Sequence, residues 1–361
     1  MKVQNKFRTI DLSSYVRVQK NTFFSKSDYP LPSKTAHRLS HNDRLAVQQI
    51  FYSIFVCAPR SIRRCAMGTF HRVYRIVLSE QMYVIRIWSG NTREVPVHFF
   101  IQEGIIKLLA HTGIPFAHRA VIIDTSRRRA PFDFEIFRVV PGIHLYSTAG
   151  KKKDLSCIHK TLGEYIARLH SIRLKGYGRL VFSSASKKTV RGCQKSWRAY
   201  LLTQLDRHIE YCYTEGFISS LMRRKIRSRI LSAIKRVTLH SPRLLHGDLA
   251  HHNLFSDEKS ITSIIDWEDA LAGDPVYDIA YWGTGSFGNE QWLASFLRGY
   301  ESIQPIPRDF ALRYWLYYLR IALAKTVARH RMGKSDTLSS GIRFSDRITQ
   351  GLSKLDSILQ S

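Results

Sequence analysis

The chain has 361 residues, 44% hydrophobic and 12% aromatic, enough to bury a core and to exclude disorder throughout. Lys and Arg number 56 against 28 Asp and Glu, a net charge of +28 with pI near 10.2, so the surface attracts polyanions without naming one. Five cysteines, an odd number with no CxxC pair, exclude a disulfide framework or zinc ribbon and fit a reducing cytoplasm; no apolar run approaches the ~20 residues that span a bilayer.

Residues 1–41 are polar and basic without a sustained period, and read as an extension or loosely docked arm. From Asn42 to Val56 a helix is expected, with Leu45, Ile50 and Ile54 on its inner face. Ser61–Ala66, His71–Leu78 and Met82–Trp88 read as three strands. The turn between the first two is Met67-Gly68-Thr69-Phe70, and a strand–turn–strand whose turn carries glycine can cover phosphates with backbone N–H groups. One glycine is also what an ordinary hairpin would use.

Arg86 sits inside the strand MYVIRIW, where an unpaired charge would be costly, so it needs an anion. Glu103 is its expected partner, on a helix at His98–Ala110 that ends near Gly113. Ala120–Ile123 and Phe134–Val139 complete the strands, and Val140-Pro141-Gly142 breaks the pattern as a hinge would.

Helical periodicity follows. Ile158, Leu162, Tyr165, Ile166 and Leu169 mark one stripe, with His170 beside it as a packed structural histidine. Further helices are expected at Trp197–Tyr213, Phe217–Val237, Trp292–Tyr300, Asp309–Arg331 and Ile348–Leu359. The cluster of bases from Arg223 to Arg229 reads as a solvated face.

Between them lies His246–Asp278, with eight carboxylates and one Lys or Arg, Lys259. Leu254–Phe255 and Ile261–Ile265 read as a hairpin that would set Asn253 opposite Asp266, about 5 Å apart. An amide oxygen and a carboxylate at that separation could grip one hard cation. Asp248 follows a turn glycine and faces the same opening, and His246 would orient its loop. Glu268 and Asp269 would line the mouth where a substrate enters. Asp274-Pro275 is a good helix start and reads as structural.

HGD-x4-N, IDWE and GDP-x2-DIA in this order resemble the aminoglycoside phosphotransferase-like (phosphotransferase enzyme) family of small-molecule kinases, hygromycin phosphotransferase-like members most of all. The resemblance implies an α+β, two-lobed protein-kinase-like fold, with a small antiparallel-sheet N-lobe and a larger, mainly helical C-lobe. It divides the chain into a basic N-terminal extension at 1–41, a nucleotide-binding N-lobe at 42–141, and a catalytic and substrate-binding C-lobe at 142–361. Asp248 is then the catalytic base, Asn253 and Asp266 hold Mg2+, and Asp278 braces the catalytic loop. Arg86 stands where protein kinases place a phosphate-pairing Lys. Gly68 and Thr69 would cover the phosphates of ATP or GTP, and main-chain groups around Phe137 and Val139 would hold the base. The implied reaction moves a γ-phosphoryl group to a hydroxyl of a small acceptor such as an aminoglycoside, sugar or amino alcohol. The alternative is a nucleotide-dependent regulatory or nucleic-acid-binding module on the same fold. DFG and APE motifs, which protein kinases carry, are absent from the sequence.

Overall fold

Alternate burial of apolar side chains along two neighbouring strands organises the first part of the chain. In the computed structural model, which describes residues 12–28, 41–65, 70–89, 97–110, 112–115, 120–145, 155–183, 189–239, 241–257, 259–285, 289–337 and 343–361, the chain divides into two compact units. The expected Gly68–Thr69 turn lies outside the described residues.

One unit comprises residues 1–12, 30–107 and 117–140. Its sheet is antiparallel, with β1 (Ser61–Arg64), β2 (His71–Leu78), β3 (Gln81–Trp88), β4 (Ile122–Asp124) and β5 (Phe134–Arg138) in the order β1-β2-β3-β5-β4. Tyr74, Ile76 and Leu78 from β2 and Tyr83, Ile85 and Ile87 from β3 alternate onto one face, as a period of two requires. Val47, Ile50 and Phe51 of the helix His41–Phe55 pack against that face. Leu45, expected to point inward, is instead 46% exposed, because Val47 and Phe51 share the buried stripe with Ile50. Arg86 therefore projects from the other face of β3, and the helix Val97–Leu109 follows that strand in the chain.

The second unit, residues 13–29, 108–116 and 141–361, is mainly helical. Two small sheets interrupt it. In one, β6 (Ile143–His144) and β11 (Ile261–Ile264) flank β10 (Leu254–Ser256). In the other, β7 (Tyr177–Phe182), β8 (Val190–Gln194), β9 (Arg243–Leu245) and β12 (Leu271–Gly273) run in the order β8-β7-β12-β9. The helix Phe310–Arg331 is the main beam, burying Tyr314, Tyr317, Tyr318 and Leu319. Helices Ser156–Leu169 and Glu290–Glu301 approach so closely that a Cβ on Gly163 would lie 2.0 Å from the Phe296 carbonyl oxygen.

Two expectations change here. The single helix expected at Trp197–Tyr213 is two, Trp197–Leu202 and Leu205–Thr214. Gln204 adopts a left-handed φ of 56° between them, and buried Arg320 takes up the carbonyls of Leu201 and Thr203 that the break frees. Over residues 12–28 the arm is not loose. It forms helices Leu12–Lys20 and Ser25–Asp28 and buries Phe23 and Phe24 in the helical unit. Phe23 stacks on Tyr200 and lies 3.5 Å under the Arg320 guanidinium. No described helix is long and apolar enough to cross a membrane, and all five cysteines are free.

Candidate functional site

The motif His246-Gly247-Asp248 begins where β9 ends, and its path depends on Gly247. That residue has φ 79°, and a Cβ there would lie 2.0 Å from the Asp269 carbonyl oxygen, so only glycine makes this turn without strain. Asp278, fully buried on the helix Val276–Gly285, accepts the His246 N–H at 2.7 Å and the Gly247 N–H at 2.9 Å. Its Oδ2 also lies 3.2 Å from His170 Nε2. Tyr300 OH, at 2.9 Å, engages the other ring nitrogen of His170, which is the packed position expected of that residue. His246 Nε2 lies 2.9 Å from the Ile265 carbonyl oxygen and its Nδ1 is 3.3 Å from the Asp248 N–H. That pairing requires the proton on Nε2, and it ties the loop to the hairpin.

The hairpin register is one residue off the expected one. Leu254 pairs with Ile264, and the Ile265 N–H donates to the Asn253 carbonyl at 2.9 Å. Asn253 is thus opposite Ile265, and Asp266 is the next residue, turned by a left-handed backbone of φ 66°, ψ 59°. Nearer the turn the offset is two, with Ser256 opposite Ile261, and the irregularity between Phe255 and Ser256 takes back one of the two, as an unpaired extra residue does. The Asn253 side-chain amide donates to the Asp248 carbonyl at 2.8 Å. Its nitrogen is thereby assigned, and its Oδ1 remains the acceptor end.

Asp248 itself is 2% exposed. Tyr281 OH donates to its Oδ1, and Lys26 Nζ lies 2.6 Å from its Oδ2. His252 Nε2 is further away at 3.9 Å. Burial alone would raise the carboxyl, but the Lys26 ammonium, with His252 behind it, holds it well below the usual range. Burial pushes the Tyr281 phenol well up, and Asp248 pushes it further. Lys325 Nζ lies over the Tyr281 ring at 3.8 Å and donates to Thr284; burial lowers that amine to about 7.

Of Glu268 and Asp269, the second is closed off from any substrate by an arginine. Arg179 on β7 pairs through Nη1 with Asp269, 2% exposed, and donates through Nη2 to the Glu268 carbonyl at 3.1 Å. Gln19 accepts from Arg179 Nε at 2.9 Å. Asp274 caps its helix at the Val276 N–H and binds Arg313 and Tyr317, a structural position.

In the sheet unit, Arg86 Nη1 lies 3.2 Å from Glu135 and 3.5 Å from Gln102 Oε1. Glu135 is its direct cross-strand neighbour on β5. Glu103 Oε1 accepts the Ala120 N–H at 2.8 Å. Phe137 is buried opposite Val84, and the Val139 N–H donates to the Met82 carbonyl at 3.0 Å.

Sequence reasoning missed Lys26, Arg179, Tyr281, Lys325 and Glu135. Tyr281 had a signal, since it follows Asp278 by three residues and so shares its helix face. Glu135 could have been found by writing out the register opposite Arg86. Lys26 had none: 222 residues separate it from Asp248.

Known proteins of this shape supply the context. The aminoglycoside phosphotransferase APH(4)-Ia, in ternary complex with AMP-PNP and hygromycin B, superposes with a TM-score of 0.62 at 16% identity over 87% of this chain and 98% of its own. The GDP complex of aminoglycoside 2'-phosphotransferase-IIIa gives 0.57 at 17% identity, over 87% of this chain and 96% of its own. By sequence, the Hygromycin-B 4-O-kinase of Escherichia coli is 26% identical over 37% of this chain and 38% of its own length. The Acyl-CoA dehydrogenase family member 10 of Mus musculus is 25% identical over 62% of this chain, which spans only 20% of that protein. A probable ketoamine kinase of Vibrio vulnificus is 26% identical over 70% of this chain and 81% of its own. The model of the phosphotransferase enzyme family matches residues 61–315, a stretch that holds both the sheet with Arg86 and the braced Asp248 loop, and the chain belongs to that family.

Proposed function

We propose that the protein is a small-molecule kinase that moves the γ-phosphoryl group of ATP or GTP to a hydroxyl of a small acceptor. The observation that carries this reading is the construction of the Asp248 loop. Asp278 ties down its backbone, His246 and Asn253 bind it from either side, and one carboxylate oxygen of Asp248 is held by Tyr281. A carboxylate fixed in this way is suited to receive a proton at Oδ2. As the acceptor oxygen bonds to the γ-phosphorus, its proton passes to Asp248 and the bond to the departing nucleoside diphosphate breaks. Such chemistry asks mainly for positioning and charge neutralisation, so a carboxyl kept ionised by Lys26 suffices.

Asn253 and Asp266 are proposed as the Mg2+ ligands. The donor set fits: both offer hard oxygens, and the Asn253 amide is turned so that Oδ1 is its acceptor end. Mg2+ bound there would neutralise phosphate charge. On the sheet unit, Arg86 is proposed to bind phosphate, with Glu135 and Glu103 setting its surroundings and Gly68 and Thr69 covering the phosphates. The base of the nucleotide is assigned to main-chain groups near Phe137 and Val139. His246 and Asp278 serve as supports. A cytoplasmic setting suits the free cysteines.

The test is an ADP-release assay across sugars, nucleosides, amino alcohols and aminoglycosides, with Asp248→Asn as control. Turnover of at least one hydroxyl compound is expected, and the variant should lose it by at least a thousandfold. A variant that keeps turning over removes Asp248 from the role of base.

A further inference from the structure

Lys26 and Arg179 bear on which acceptor this site takes, a question that rests on the kinase reading above. An acceptor that is itself a polycation would be held by carboxylates available to its ammonium groups. In this chain two of those carboxylates, Asp248 and Asp269, already have cations of the chain's own. Both oxygens of Asp248 are engaged, one by Tyr281 and the other by the Lys26 ammonium at 2.6 Å. Asp269 is buried against Arg179, and the same guanidinium holds the main-chain carbonyl of Glu268, which fixes the backbone between the two.

Lys26 does not reach Asp248 by accident of a loose chain end. Asp28 accepts the Phe23 and Phe24 N–H groups at 2.7 and 3.0 Å and lies 2.7 Å from His208 Nε2. Arg331 donates to the Ser27 carbonyl. Gln19, one helix earlier, binds Arg179 itself. The segment that carries Lys26 is thus anchored on both sides of it, and Lys26 has Phe24 5.7 Å below its ammonium. The lysine side chain is 14% exposed and has a flexible four-carbon stem. A hydroxyl could take its place on Oδ2 while the ammonium swings aside without leaving the site.

We propose that Lys26, with Arg179 behind it, is a specificity-determining residue that turns this site against cationic acceptors, so that the acceptor is a neutral or anionic hydroxyl compound such as a polyol, sugar or sugar phosphate. A displaced ammonium remains a hydrogen-bond donor and a positive charge beside the acceptor. It favours oxygen-rich or phosphorylated groups and repels a second ammonium. The net charge of +28 acts in the same sense at longer range.

The experiment uses the full chain and compares kcat/KM for ADP release with three acceptor sets: free aldoses and polyols, aldose monophosphates, and the aminoglycosides hygromycin B and kanamycin. Calorimetric binding of hygromycin B and of the aldose monophosphates is measured alongside. In the unsubstituted protein, the best neutral or anionic acceptor should exceed the best cationic one at least tenfold. Lys26→Gln should shrink that ratio at least tenfold, mainly through a lower KM for the cationic set, and should tighten hygromycin B binding by a similar factor. Lys26→Arg should restore the original order. A preference for aminoglycosides in the unsubstituted protein overturns the proposal. An equal change for all three sets in Lys26→Gln, in turnover or in binding, overturns it as well, since Lys26 would then be a plug without selectivity. Retained turnover in Asp248→Asn, by contrast, strikes only at the base assignment and leaves the charge preference standing.

Discussion

Asp278 joins three separate segments: it receives the N–H groups of His246 and Gly247 and lies against His170, all in a fully buried position. Removing it strands two buried donors at the turn that carries Asp248, and each such group costs about 1–3 kcal/mol. Asp278→Ala should therefore lower unfolding stability by roughly 3–5 kcal/mol, read as a fall in the urea midpoint, and reduce turnover with it. Asp266→Ala makes a separate prediction, because Asp266 follows the last paired residues of the hairpin. Its fold should hold, while Mg2+-dependent nucleotide binding disappears in a fluorescence titration; an unchanged affinity would remove it from the ligand set. Single residues of this kind were legible in advance because the motif spacing carries them. Asp248, Asn253 and Asp266 stand within nineteen positions of one another in the sequence. Lys26 was illegible because nothing local to an aperiodic arm points at a carboxylate so distant in the chain.

Elements were readable where a period ran long and unreadable where a single residue changed it. Strands β2 and β3 bury every second residue over Tyr74–Leu78 and Tyr83–Ile87 and fell within one residue of where the pattern placed them. The hairpin slipped because its turn is centred earlier than the pattern suggested, with Ser256 opposite Ile261, and the irregularity beside Phe255 that takes back part of the offset has no marker in the sequence; a one-residue change moves a side chain to the other face. The helix expected across Trp197–Tyr213 broke at Gln204 because the carbonyls released there find Arg320, 119 and 117 residues away. The contact between helices Ser156–Leu169 and Glu290–Glu301 offers a test at this scale. A Cβ at Gly299 would lie 1.9 Å from the Lys160 carbonyl oxygen, and backbone cannot rotate out of the way as a side chain can. Gly299→Ala should cost about 1–3 kcal/mol, seen as a lower melting temperature, with no change in acceptor preference.

At the scale of the whole molecule, acid should act through histidines buried in their neutral form. Burial lowers His208 from 6.5 to about 4, and burial with His159 and His252 nearby lowers His251 to about 3. Below pH 6.5 the unfolded chain protonates these groups while the folded protein does not, so stability falls with falling pH down to the folded values. Between pH 6.5 and 4 two such groups contribute up to about 2.7 kcal/mol per pH unit. Asp28, whose carboxyl is held below its ordinary value by His208 and by the Phe23 and Phe24 N–H groups against the effect of burial, adds its loss only below that window. Urea midpoints should therefore drop steeply from pH 6.5 to pH 4, and a flat profile would show that these histidines are not held neutral. His208→Gln should flatten part of the slope.

The docked segment from Gln19 to Asp28 has an evolutionary corollary. Phe23 and Asp28 fasten it to Tyr200, Arg320 and His208, while Lys26, between them, touches Asp248. Natural variation in this stretch is thus constrained twice over. A lineage that re-tunes what it phosphorylates by altering these ten positions must keep the anchors while changing the lysine, so new chemistry should arise by replacement at one point rather than by drift across the arm.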